Sequence, residues 1–240
     1  ELLDKEPTDA KARLLVTKIL LVDGKPVDAM AEAQRITTEQ AGSTSAAEAF
    51  LIVGRLHHEK DRYAEAIVAY DEVLKRQAQP VEAALALSRV YLAMGQFDRA
   101  KTYAEQALSI VPRLPDARGM LIRVAMAQGD TAQSRQLLDA LRKDYPKDLP
   151  LGVLKLLGTQ QLADSQFAAA RETFTKAAAL APNDVETIAG LVQVDISTNR
   201  PQQAIERIES TLKRVQPSAA LLALAARAYA ATGRADRAEE

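Results

Sequence analysis

The chain has 240 residues, 48% of them hydrophobic and 26% charged, with no run of about 18 apolar residues, a composition that argues against disorder and against a membrane-spanning helix. Lys+Arg 31 against Asp+Glu 32 leave a net charge of -1, so no global field draws in DNA, RNA or an acidic membrane. Cysteine is absent, which removes disulfides, thiolate nucleophiles and cysteine metal sites without assigning a compartment.

Residues 1–9 read as the tail of a preceding second helix. Gly24 then ends a first helix, and a turn residue returns at Asp61, Gly95, Gly129, Ser165, Asn199 and Gly233, after 37 residues and then at steps of 34, 34, 36, 34 and 34. These residue types accept left-handed backbone or local hydrogen bonding, as a tight turn after a helix requires. Pro112, Pro146 and Pro182 keep the same period, with Pro7 in phase, and each stops a second helix. Between these marks the apolar spacing is helical, as in Ala64, Ile67, Val68, Val73 and Leu74, or Leu85, Val90 and Leu92. Strand-like alternation is absent.

Each unit is therefore predicted to be two short helices and a turn, which buries its apolar faces only by stacking on its neighbours. The units are placed at 10–46, 47–80, 81–114, 115–150, 151–184 and 185–218, with 219–240 a truncated unit. Together they make one solenoid domain, expected to be a segment of a longer array with any export or anchoring signal outside it. The extra residues fall at Gly42-Ser43-Thr44-Ser45 and Lys147-Asp148, predicted loops. The truncated last unit is expected to expose an apolar face around Leu221, Leu222 and Leu224.

Aligned by this period, the twentieth column reads Ala29, Ala66, Ala100, Ser134, Ala170, Ala204 and Ala238, small enough for two helices to approach closely. The eighth column reads Thr17, Gly54, Ser88, Ile122, Gly158, Val192 and Ala226, small except at Ile122 and Val192. Tyr63, Phe97 and Phe167 put an aromatic ring in the seventeenth column, from which Val27, Thr131, Pro201 and Ala235 depart. This pattern resembles the tetratricopeptide repeat (TPR) family along nearly the whole chain, most strongly at 47–114 and 151–184. The resemblance implies an all-α, right-handed superhelical solenoid of stacked helix pairs.

Sequence motifs for catalysis are weak. His57 and His58 are adjacent, so they point in different directions on a helix and do not form the i, i+4 pair of a zinc protease; with Glu59 they read as a solvated helix end. No GxxxxGK[ST], GxGxxG or GxSxG is present. Glu65, Asp71 and Glu72 read as a solvated face, with Asp71 paired to Lys75. The expectation is a non-enzyme with no metal and no cofactor.

By the family resemblance, the first helix of each unit lines a concave groove, with columns 2, 5, 9, 12 and 13 directed into it. Column 9 reads Lys18, Arg55, Arg89, Arg123, Thr159, Gln193 and Arg227, and stacking turns it into a ladder of cations. Column 2 reads Lys11, Glu48, Glu82, Asp116, Gly152, Glu186 and Ala220. Two arrangements fit: the arginines and acids neutralise one another along the groove, or the arginine forks face a ligand's carboxylates with Leu51, Leu85, Leu92 and Met126 supplying apolar contact. The Lys and Asn clamp by which some family members hold a chaperone tail is not matched, because column 5 reads Leu14, Leu51, Leu85, Gly119, Lys155, Ala189 and Ala223.

The expected function is a non-enzymatic scaffold binding a peptide segment or partner protein, acidic and extended, in its groove. The alternatives are an envelope module for exopolysaccharide synthesis or export that touches a polyanionic glycan, and a regulatory spacer for a catalytic domain elsewhere. Nucleic acid is not expected, since aromatic content is 4% and stacking platforms need exposed rings. Direct membrane insertion is not expected either. The alanine-heavy, cysteine-free style resembles bacterial envelope members of the family, which favours periplasm or envelope over cytoplasm.

Overall fold

The computed structural model describes residues 9–215 and 217–231. Among them lie α1 (Ala10–Val22), α2 (Pro26–Glu39), α3 (Ala46–His58), α4 (Tyr63–Arg76), α5 (Val81–Ala93), α6 (Phe97–Ile110) and α7 (Pro115–Ala127). There follow α8 (Thr131–Arg142), α9 (Leu151–Ala163), α10 (Phe167–Leu180), α11 (Val185–Ser197), α12 (Pro201–Leu212) and α13 (Ala219–Ala231). No strand occurs among the described residues. The chain divides into two compact units, Glu1–Gln128 with α1 to α7 and Gly129–Glu240 with α8 to α13. Within each, consecutive helices pack as antiparallel pairs and the pairs stack, the all-α solenoid that the 34-residue period predicts.

The turn column takes the backbone expected of it. Gly24, Gly95 and Gly129 have φ of 70, 69 and 75°, and Asp61, Ser165 and Asn199 adopt the same left-handed region at 55, 58 and 56°. Beyond Gly24, Asp61, Gly95, Ser165 and Asn199 a backbone N–H reaches back five residues, as Gln96 N does to Tyr91 O (2.8 Å) and Arg200 N to Asp195 O (2.8 Å). That bond closes a Schellman-type cap and satisfies a carbonyl the helix leaves without a partner. Helix starts are reinforced by Asp9, Asp130 and Asp184, whose side chains accept backbone N–H bonds, and by Pro26, Pro115 and Pro201 in the first turn. Pro7, Gly233, Ala235 and Ala238 lie outside the described residues.

The small column sits where helices of a pair touch. Ala29, Ala66, Ala100, Ala170 and Ala204 are completely buried, as is Ser134, whose hydroxyl donates to Gln160 Oε1 (2.6 Å). In the first unit the core runs from Leu14, Ile36 and Leu56 to Tyr70, Leu87 and Val90. In the second it gathers Ile188, Val192, Ile205, Ile208, Leu221 and Leu224. Leu221 and Leu224 thus depart from the expected exposed end: they are buried against α11 and α12, and of the three only Leu222 is exposed. Asp71 also departs from expectation, since Lys75 bonds Glu72 (2.7 Å), which Arg76 contacts as well.

One polar cluster in the second unit is buried. Asp195 on α11 is fully enclosed, and its carboxylate accepts from Arg171 on α10 (2.6 Å) and from Arg207 on α12 (3.2 Å). Arg171 also donates to Thr198 Oγ1 (3.2 Å). A buried carboxylate needs such donors, because water is not there to solvate it.

Candidate peptide-binding cleft

In the first unit the first helices α3, α5 and α7 lie side by side, so residues one period apart become neighbours. They form a cleft of about 420 Å³ lined by Glu48, Leu51, Ile52, Arg55 and His58 of α3, Glu82, Leu85, Ala86 and Arg89 of α5, Asp116 of α7, and Tyr70 reaching in from α4. The structure therefore brings together Arg55, Arg89, Leu51 and Leu85. Arg123, half-buried on α7, lies outside this lining, as do Leu92 and Met126. Leu92 packs instead between the two apolar clusters that surround α5.

The charge pattern is uneven. Lys18 on α1 closes an ion pair with Glu48 of the next first helix at 2.6 Å. Among the described residues, Arg55 has a single carboxylate in reach, Glu59 just past the end of its own helix at 4.0 Å, and Arg89 makes no ion pair within 4.0 Å. In the second unit Lys155 bonds Glu186 (2.7 Å) and Asp184 (3.1 Å). Burial pulls the Lys155 ammonium down, but these two carboxylates outweigh it and its pKa is raised. Arg227 donates to Gln193 Oε1 (2.7 Å), one period away, so two rungs of column 9 bind each other there.

The sequence did not place His58 or Tyr70 in the groove. His58 occupies column 12, one of the columns that the family resemblance directs into the groove, and unlike Leu92 and Met126 of the same column it lines the cleft. It is half-buried, with its ring edge-on to Tyr63 at 5.9 Å, and not a solvated helix end. Burial first, and the charge of Arg89 second, hold its imidazole below the usual 6.5, against smaller opposing pulls from Asp61 and Glu59. Tyr70 is 3% exposed, and burial pushes its phenol up to about 12 despite the nearby charges of Arg89 and Arg55. Its wall of the cleft stays a neutral ring with a hydroxyl that donates and accepts.

The described residues hold no group of three or more His, Asp or Glu able to bind a metal ion, and no described helix is long and apolar enough to cross a membrane. The cleft can offer guanidinium forks, carboxylates and aliphatic surface, which is the chemistry of recognition.

Comparison with known proteins bears on the fold. A tetratricopeptide repeat protein from Parabacteroides merdae superposes with a TM-score of 0.65 at 14% identity, over 95% of this chain and 89% of that one. TTC0263, a TPR protein of Thermus thermophilus, gives 0.67 at 19% identity, over 78% and 98%. PilW, a widely conserved type IV pilus biogenesis factor, gives 0.59 at 18% identity, over 82% and 90%. At such identities the likeness concerns the fold alone. No curated protein matches the sequence. The tetratricopeptide repeat model matches residues 57–105, 92–152 and 161–227, more than half of the chain. On these matches the chain belongs to the tetratricopeptide repeat family, non-catalytic scaffolds that bind proteins and peptides through their helical repeats.

Proposed function

We propose that the cleft between α3, α5 and α7 is the binding surface of this scaffold, and that it takes an extended segment of a partner protein bearing carboxylates. Arg55 and Arg89 receive the carboxylates, and Leu51 and Leu85 between them receive aliphatic side chains. The observation that carries this reading is that Arg89 lines the cleft while making no ion pair with any described residue. A guanidinium without a protein carboxylate keeps its bidentate donors for a ligand. Lys18, already paired with Glu48, and Arg227, bonded to Gln193, have less to offer.

The test is charge reversal. The Arg55→Glu, Arg89→Glu double variant should keep its helical far-UV spectrum and lose binding to carboxylate-bearing peptides, and binding in the parent should weaken with salt because solvent-facing charges are screened over about 8–10 Å. Unchanged affinity in the double variant would refute the reading.

A second reading, an envelope module in the bacterial periplasm that touches a polyanionic glycan, has the fold likeness to PilW, a type IV pilus biogenesis factor, as its support. Fractionation of cells producing the full-length protein checks the compartment. Binding of an acidic polysaccharide that is lost in the same double variant checks the ligand.

A further inference from the structure

We infer that the ligand of this cleft is a mixed-charge peptide segment, carrying cationic side chains for Glu82 and Asp116 as well as carboxylates for Arg55 and Arg89. The inference rests on the cleft reading above and goes beyond it, because that reading requires only acids.

Lys18 and Glu48 stand in columns 9 and 2 of successive units, and in the first pair of units they close to 2.6 Å. Arg55 with Glu82, and Arg89 with Asp116, occupy the same two columns in the next units, and neither pair closes to 4.0 Å. All four line the same cleft. A self-neutralising ladder would repeat the Lys18–Glu48 contact at each step. Here two acids and two bases instead stand apart across a volume of about 420 Å³.

The positive end of the helix dipole accounts for an acid in the first turns of α5 and α7, where Glu82 and Asp116 lie. It does not account for an arginine seven residues further along α5. Seven residues are nearly two turns, so Glu82 and Arg89 share a face about 10 Å apart along the axis. Leu85, 6% exposed, lies between them on that face, as Leu51 does between Glu48 and Arg55.

A ligand that meets this surface presents a carboxylate, an aliphatic group and a cation at a span of about 10 Å. Three or four residues of extended chain cover that distance. A purely acidic peptide or an acidic glycan would satisfy the arginines while setting its remaining charge against Glu82 and Asp116, and like charges brought together cost affinity.

The experiment uses three synthetic peptides of equal length in fluorescence anisotropy: Glu/Leu, Lys/Leu, and mixed Glu/Leu/Lys, with polygalacturonate as a glycan competitor. The mixed peptide should bind the parent about fivefold more tightly than the Glu/Leu peptide, the gain expected of two exposed ion pairs. In the Glu82→Gln, Asp116→Asn variant, whose isosteric exposed changes keep the fold, that preference should vanish or invert. Should Glu/Leu or polygalacturonate bind the parent as tightly as the mixed peptide, with affinity lost in Arg55→Gln, Arg89→Gln, the inference falls and the acidic-ligand reading stands. Peptide binding indifferent to all four residues overturns both.

Discussion

Gly54 on α3 faces the ring of Tyr70 on α4 so closely that a Cβ there would lie 2.5 Å from Tyr70 Cε1. The same size exchange recurs one helix pair at a time. Gly158 meets Phe174, where an added Cβ would come to 2.7 Å of the ring, and Gly190 on α11 crowds the same phenylalanine from the other side. Where the second helix carries Ala104 in place of the ring, the first helix carries Ser88, whose hydroxyl donates to Ala100 O at 2.7 Å. In these pairs the two helices divide one space, so an aromatic ring on the second demands glycine on the first, whereas the pairs with Ile122 and Leu138 or Val192 and Ile208 fill it with aliphatic side chains from both sides.

Gly54→Ala should therefore cost about 1–3 kcal/mol by overpacking. In a Tyr70→Ala background the same change should cost far less, giving a coupling of about 0.5–3 kcal/mol in a double-mutant cycle. Urea unfolding of the four proteins measures it, and additivity would show that the two residues do not share this space.

The turn column gives substitutions of opposite sign. Ser165 holds φ at 58° and Gly95 at 69°, a region that penalises a side chain. Ser165→Gly should raise stability by about 0.5–1 kcal/mol and Gly95→Ala should lower it by about 1–2 kcal/mol. Open space around Gly95 leaves the backbone as the sole cause. Thermal melts under identical conditions decide this, and a neutral Gly95→Ala would contradict it.

Removal of the Asp195 carboxylate leaves Arg171 and Arg207 facing each other over a buried position. Both arginines are about a third exposed and can turn toward water, so Asp195→Ala should cost on the order of 2–3 kcal/mol, less than the roughly 3–5 kcal/mol of breaking a fully buried pair. The loss should respond little to added salt, as screening is weak around a buried charge. A loss below half a kilocalorie in denaturant unfolding would mean the cluster is not a stabilising one.

His58 makes stability depend on pH in a defined direction. Its folded pKa lies below 6.5, so as the pH drops past 6.5 the unfolded chain takes up a proton that the folded chain still refuses. Stability attributable to this residue is thus intact above 6.5 and erodes below it, until the folded imidazole also titrates. His58→Gln should flatten that part of the profile. Arg89→Gln, which removes the second cause of the shift, should move the His58 midpoint upward in an NMR titration, and no movement would place Arg89 electrostatically away from the ring.

Much of the fold was legible because a repeat applies one local rule many times. The turn residues at Asp61, Ser165 and Asn199 were readable without any glycine, since their period identified them and the Schellman geometry depends only on the residues of one turn. The candidate site was legible in part. Arg55, Arg89, Leu51 and Leu85 share a cleft because stacking aligns equal columns, whereas Leu92 and Met126 followed the column into packing or away from the lining. His58 reads as a solvated helix end in the sequence because two adjacent histidines and Glu59 close a helix just before the turn, and only packing beside Arg89 and Tyr70 puts the ring into the cleft.

The period, the helix pairs, the left-handed turns and the buried small column are all written in the amino-acid sequence. They depend on backbone geometry and on side-chain volume within one unit, and both are local. Which charges meet is settled by the packing of the folded chain. Lys18 reaches Glu48 while Arg55 and Arg89 leave Glu82 and Asp116 untouched, and Asp195 is sealed between two arginines from separate helices. Contacts of this kind depend on the reach of long side chains and on three elements converging, and column position alone does not specify either.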